Sequence, residues 1–224
     1  MTAKDEDHRG VTVDGSSLTI DSVVRVARAG AEAKLSAEAA GRMARARAAL
    51  EKKVDAGETI YAVNTGVGDL VDVRIPHDDL RALQVNLLRS HACGVGEAYP
   101  AEVVRGMMLL RANALAKGYS GVRAEVAMMF LEMLNRQVHP RVPRQGSVGS
   151  SGDLAMLAHM GLALIGEGES DAGHGFEPSA KALERKSMGP LVLGPKEAIS
   201  IINGTQAMTA VGALAVNDAA NLVD

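Results

Sequence analysis

This sequence predicts a mainly α fold, a helical bundle opened by a small N-terminal hairpin. Leu80, Leu83, Leu87 and Leu88 recur at helical spacing. The stretches 102–117 and 123–137 carry Val, Leu and Met over much of their circumference, as helices inside a bundle do. The run 154–165 is almost wholly apolar and follows Asp153, a residue suited to cap it.

Residues 11–20 alternate apolar and polar side chains about Asp14-Gly15, the pattern of a hairpin. Asp21 is placed to cap a short helix bearing Val23, Val24, Val26 and Ala27, and Ser36 a longer one that stops before Gly57. The helix with the spaced leucines should end near Gly94. Gly118-Tyr119-Ser120-Gly121 separates the next two helices, with a glycine C-terminus and a serine cap. Pro140 and Pro143 force an irregular segment. Polar residues 166–178 read as a surface loop, and a short helix near 179–185 follows. Pro195 stands where a helix starts, Asn203-Gly204 interrupts, and Met208, Val211, Leu214, Val216, Ala220 and Leu222 continue as helix. No stop signal precedes the last residue, so the sequence is expected to end inside an element, truncated relative to a longer bundle. The apolar faces of 154–165 and 205–223 are expected to need partners. This suggests a disordered tail at 1–10, a helical N-terminal region at 11–145, and a region at 146–224 that begins the central bundle.

Composition narrows the function classes. A net charge of −3 with scattered basic residues gives no electrostatic footprint for nucleic acid, and 2% aromatics leave no platform for stacking bases. Cys93 is the sole cysteine, so no internal disulfide can form, and His8, His77, His139, His159 and His174 show no metal-ligand spacing. His159, on the apolar helix, reads as a structural, hydrogen-bonded histidine. The polar opening MTAKDEDHRG is no signal peptide, and 154–165 is too short to span a bilayer. A cytoplasmic setting without membrane or nucleic-acid partners is expected.

The chemistry is concentrated in Gly146-Ser-Val-Gly-Ser-Ser-Gly-Asp153. It lacks the lysine of a phosphate loop, and Asp153 occupies the place where a nucleophile elbow around Ser151 needs glycine. A flexible linker would not run at once into a capped apolar helix. A tight glycine turn before a buried helix remains the plain alternative.

With Leu154-Ala155, this stretch resembles the prosthetic-group motif of the aromatic amino acid ammonia-lyases, where Ala-Ser-Gly cyclises into methylidene-imidazolone. Tyr61-Ala-Val-Asn-Thr-Gly-Val-Gly68 is similar to the family's Tyr-Gly-x-Asn-Thr-Gly-Phe-Gly loop, and Asn203-Gly-Thr-Gln206 to its Asn-Gly-Thr-Gln segment. Leu83-Gln84, Ser90-His91 and Gly94-Val-Gly-Glu97 match a further segment in the same order. The resemblance runs from about Val11 to the C-terminus, with departures at Ala62, Val67, Ser150 and Met156.

The resemblance implies a helical bundle of the ammonia-lyase and fumarase-like type and a self-made electrophile from Ser150-Ser151-Gly152, with no metal and no PLP. Glycine suits the third place because its amide nitrogen must attack the carbonyl two residues back. Ser151 would lose water to give the methylidene, and Ser150 contributes only its carbonyl. Tyr61 would be the acid–base residue at the substrate's β-carbon; as a core tyrosine it would have no such role. Asn203 would hold the prosthetic group or substrate, or cap a helix beside Gly204. The pair Ser90-His91 goes with histidine as substrate in this family, so elimination of ammonia from L-histidine to urocanate is expected. A helix-terminal histidine held by the dipole is the plain reading of His91. Phenylalanine or tyrosine lyases, aminomutases and a catalytically silent helical fragment are the alternatives. Family members are about twice this length and tetrameric, so a homo-oligomer or a complementing C-terminal chain is the implied partner, and activity of this short chain alone is in doubt.

Overall fold

Helices form where the apolar spacing puts them in the computed structural model, which describes residues 10–66, 68, 72–76, 79–149 and 151–223. The helices are α1 (Ile20–Ala27), α2 (Ala37–Asp55), α3 (Leu80–His91), α4 (Ala101–Ala116), α5 (Ala124–Asn135), α6 (Leu154–Leu164), α7 (Ser179–Arg185), α8 (Glu197–Ile202) and α9 (Gln206–Val223). Short strands lie between them: β1 (Val11–Val13), β2 (Ala33–Leu35), β3 (Val95–Ala98), β4 (His139–Pro140), β5 (Pro143–Gln145), β6 (Glu169–Asp171) and β7 (Phe176–Pro178). Most of the tail at 1–10, Val67 and Ser150 lie outside the described residues.

The expected N-terminal hairpin does not form. β1 instead pairs in parallel with β2, with α1 as the crossover that a parallel pair needs. Asp14 Oδ1 accepts the N–H groups of Ser16 and Ser17, which turns the chain away from β1. Thr19, not Asp21, caps α1 by accepting from Ser22 N–H, whereas Ser36 caps α2 as the sequence suggests. Ser120 caps nothing; Arg123 is the cap residue of α5, and its N–H donates to the Glu197 carboxylate. The polar stretch 166–178 is a β6–β7 hairpin joined to β4. Asp171 closes its turn by accepting from Gly173, His174 and Gly175 N–H.

One hydrophobic core runs from Val11 in β1 to Leu214 in α9. α6 is buried on nearly all sides, packed by α3, α8 and α7. Its apolar face is therefore satisfied within the chain, contrary to expectation. Each of its buried Leu and Met side chains contributes roughly 1.5–3 kcal/mol by leaving water. α9 behaves as expected. Ala207, Ala210 and Leu214 pack on α4 and α1, while Met208, Val211, Val216, Leu222 and Val223 stay exposed. The run Glu197–Val223 is long and apolar enough to cross a membrane by length and composition alone. It is broken between α8 and α9, and it begins with a buried, ion-paired Glu197.

Candidate functional site

The 146–153 turn is built against the loop between α8 and α9. Gly152 has φ +154°, and a Cβ there would stand 2.6 Å from Gly204 N and 2.7 Å from Gly204 O. Only glycine fits so close an approach. The next residue continues the contact, Asp153 N–H donating to Gly204 O at 2.6 Å. Asp153 does not cap α6 with its side chain. Its carboxylate accepts from Met208 N–H in the first turn of α9 at 3.0 Å and from the Ser147 hydroxyl at 3.1 Å. It thus places negative charge at the N-terminus of α9. Ser151 is exposed, and Asn203 is exposed beside Gly204. Ser150, the first residue of the tripeptide, lies outside the described residues.

The α3 terminus reaches the same turn. β3 pairs antiparallel with β5, which leads into Gly146. A Cβ on Gly146 would meet Gly94 Cα at 2.9 Å, so the two chains touch backbone to backbone. Gly94 N–H donates to His159 Nε2 at 3.1 Å, which gives His159 the structural role the sequence suggests. Burial holds the His159 ring below its ordinary pKa, with Arg141 adding to the effect.

His91 is the last residue of α3 and half-buried. Its Nδ1 lies 2.9 Å from Leu87 O, and a carbonyl can only accept, so Nδ1 carries the proton. Ser90 Oγ donates to the same carbonyl at 3.1 Å and sits 3.1 Å from His91 Nδ1. In the neutral ring, Nε2 is left as an acceptor.

Tyr61 occupies a separate loop and is 56% exposed, its hydroxyl accepting from Gly68 N–H at 3.4 Å. The polar side chains around it bond within the loop. Asn64 Oδ1 accepts from Ile60 N–H at 2.7 Å and its Nδ2 donates to Glu58 O at 2.7 Å. Thr65 Oγ1 accepts from Ala62 N–H and donates to Gly66 O. Ala62 stands at φ +57°, where the family's loop has glycine, so this departure carries backbone strain.

The aromatic amino acid lyase profile matches residues 18–224. The chain belongs to the aromatic amino acid lyase family. A histidine ammonia-lyase of Bacillus subtilis is 50% identical over 212 residues, which are 95% of this chain and 42% of that protein. A histidine ammonia-lyase structure from Trypanosoma cruzi superposes with a TM-score of 0.85 at 39% identity, covering 92% of this chain and 40% of that one. An ergothionase from Treponema denticola gives a TM-score of 0.92 at 34% identity, covering 96% of this chain and 43% of that one. The chain spans 41% to 42% of the length of the first curated relatives it matches.

Around this candidate site the fold uses buried polar residues that the motifs do not include. Glu197 is fully buried, bonded to Arg123 through Nε at 2.8 Å and Nη2 at 2.6 Å and to Gly194 N–H at 2.7 Å, with Arg47 3.9 Å away. These partners outweigh its burial and hold its carboxyl below the usual range. Gln84 Oε1 accepts from Ala198 N–H in the first turn of α8. On α4, Arg105 donates to Val26, Ala27 and Leu134 carbonyls, and Arg111 lies beneath Gly204. The available signal was a charge among Val104, Met107, Met108, Ala112 and Leu115 on a stripe too apolar to face water.

Proposed function

We propose that this chain is the N-terminal part of an ammonia-lyase that takes L-histidine to urocanate, using an electrophile formed from Ser150, Ser151 and Gly152. The observation that carries it is the seat of Gly152, at φ +154° on the backbone of Gly204. A ring nitrogen fits there, since no side-chain atom could. Methylidene-imidazolone at this turn would supply an electron-poor alkene that ordinary side chains lack. Asn203, exposed beside Gly204, is suited to hold that group or the substrate by hydrogen bonds. His91, with Nδ1–H committed to Leu87 O, would offer Nε2 to the N–H of a substrate imidazole. Phenylalanine has no such donor, and this supports histidine over the other aromatic amino acids. Ser90 shares the Leu87 carbonyl and would hold the orientation of His91. Tyr61 would act as the acid–base residue at the β-carbon.

The bare face of α9, with Met208, Val211 and Val216 exposed, supports assembly with further copies or with a C-terminal portion of the protein. A cytoplasmic tetramer is the proposed working form. The test is urocanate absorbance on incubation with L-histidine, run with the chain alone and with a supplied C-terminal half. Urocanate in either supports the reading; none in both sinks it. Release of cinnamate or coumarate from a parallel panel would move the assignment to phenylalanine or tyrosine.

A further inference from the structure

We propose that Arg111 is a positioning residue for closure of the Ser150-Ser151-Gly152 ring, acting through Gly204. This rests on the function proposed above. Arg111 is 5% exposed on the inner face of α4. Its Nη1 donates to Asn203 O at 3.1 Å and to Gln206 Oε1 at 2.7 Å, and its Nη2 donates to Ser200 O. One side chain thus ties the last turn of α8 to the first residue of α9 across the Asn203–Thr205 break. The guanidinium and the Gln206 amide bonded to it together fill the space at Gly204, where a Cβ would stand 2.0 Å from Nη1 and 2.1 Å from Gln206 Oε1. On the other side of Gly204 lies Gly152, in backbone contact.

Arg111 holds this place at a cost that packing alone does not explain. Burial pushes its guanidinium down to about 10, and among the described residues Nε has no hydrogen-bond partner. An apolar side chain of similar volume would fill the space without that penalty. What it could not do is hold three acceptors at fixed positions.

Ring closure is a reaction that needs such fixing. The Gly152 nitrogen forms a bond to the carbonyl carbon of residue 150. The oxygen of that carbonyl leaves as water, with one hydrogen from Gly152 N and one from Ser151 N. Ser151 then loses its Cα hydrogen and its hydroxyl as a second water. Two waters leave and no oxidant or reductant is consumed. The close approach at Gly152 is made by Gly204, and Arg111 holds the Asn203–Gln206 segment that carries it. Misplacement by about 1 Å can slow a positioned reaction about a hundredfold.

The experiment follows ring formation by intact-protein mass in the full chain, at matched times after expression, with helical content read by circular dichroism. Three variants are compared with the unaltered chain. Arg111→Met removes the donors, Arg111→Lys keeps a buried cation with fewer of them, and Gly204→Ala drives the guanidinium from its seat. The expected result is a folded Arg111→Met chain that retains both waters or loses them about a hundredfold more slowly, with Arg111→Lys intermediate and Gly204→Ala as slow as Arg111→Met. Should Arg111→Met lose helical content, the lysine variant decides. Any folded Arg111 variant that dehydrates at the unaltered rate overturns the positioning role while leaving the proposed function standing. An unaltered chain that never loses water, alone or with a supplied C-terminal half, overturns both.

Discussion

Around Tyr61 the loop is tied to itself, through Asn64 to Ile60 and Glu58 and through Thr65 to Ala62 and Gly66. Around Gly152 the ties reach far along the chain, to Gly204 and Met208, with Arg111 of α4 behind them. A locally tied loop can take shape once its own residues are ordered. A remotely tied one depends on the packing of several helices and stands or falls with them.

The largest effect should come from cutting the remote anchor. Glu197→Ala leaves Arg123 and Arg47 without their buried carboxylate, and a loss of about 3–5 kcal/mol in urea unfolding is expected. The α8–α9 break should loosen with it, while hydrogen exchange within 58–66 stays as before. Next, Gly152→Ala drives a methyl into Gly204, at an expected cost of about 3 kcal/mol, and should abolish the loss of water seen by mass. On the local side, Asn64→Ala should cost about 2 kcal/mol through unpaired buried groups, with faster exchange at Ile60 and ring formation unchanged. A variant of Asn64 that also blocked dehydration would erase the distinction between the two loops.

Much of the helical framework was legible because it rests on spacing. The leucines of α3, the apolar circumference of α4 and α5 and the Ser36 cap all follow from neighbours in sequence. The Tyr61 loop was singled out by its resemblance to the family's loop and not by spacing. The failures were remote partnerships. The 11–20 alternation looks like a hairpin, but β1 finds its partner in β2 across a helix. Asp153 looks like a cap for the helix it precedes, yet its carboxylate serves α9. The polar composition of 166–178 hid a hairpin whose side chains face water on most positions. No local pattern links Arg111 to Gly204, so its place in the site came only from the fold.

Two smaller tests sharpen the contrast. His139 is half-buried beside Arg105, and desolvation first, then that charge, lower its ring from 6.5 to about 4. Between those values the unfolded chain binds a proton that the folded chain refuses. Stability should be complete above pH 6.5 and fall as pH drops toward 4, and His139→Gln should flatten that slope in thermal melts. Smallest of all, Ala62→Gly relieves the left-handed strain at φ +57° and should gain about 1 kcal/mol, leaving the 146–153 turn untouched.

If the ring closes as proposed, the contact between Gly152 and Gly204 would also set an order of events during synthesis. The tripeptide leaves the ribosome well before the residue that it must press against. A nascent chain halted ahead of residue 204 would carry every atom of the ring and no surface to close it on. On the proposed function, maturation of the electrophile would be a late step, coupled to the docking of the helix that begins at Gln206.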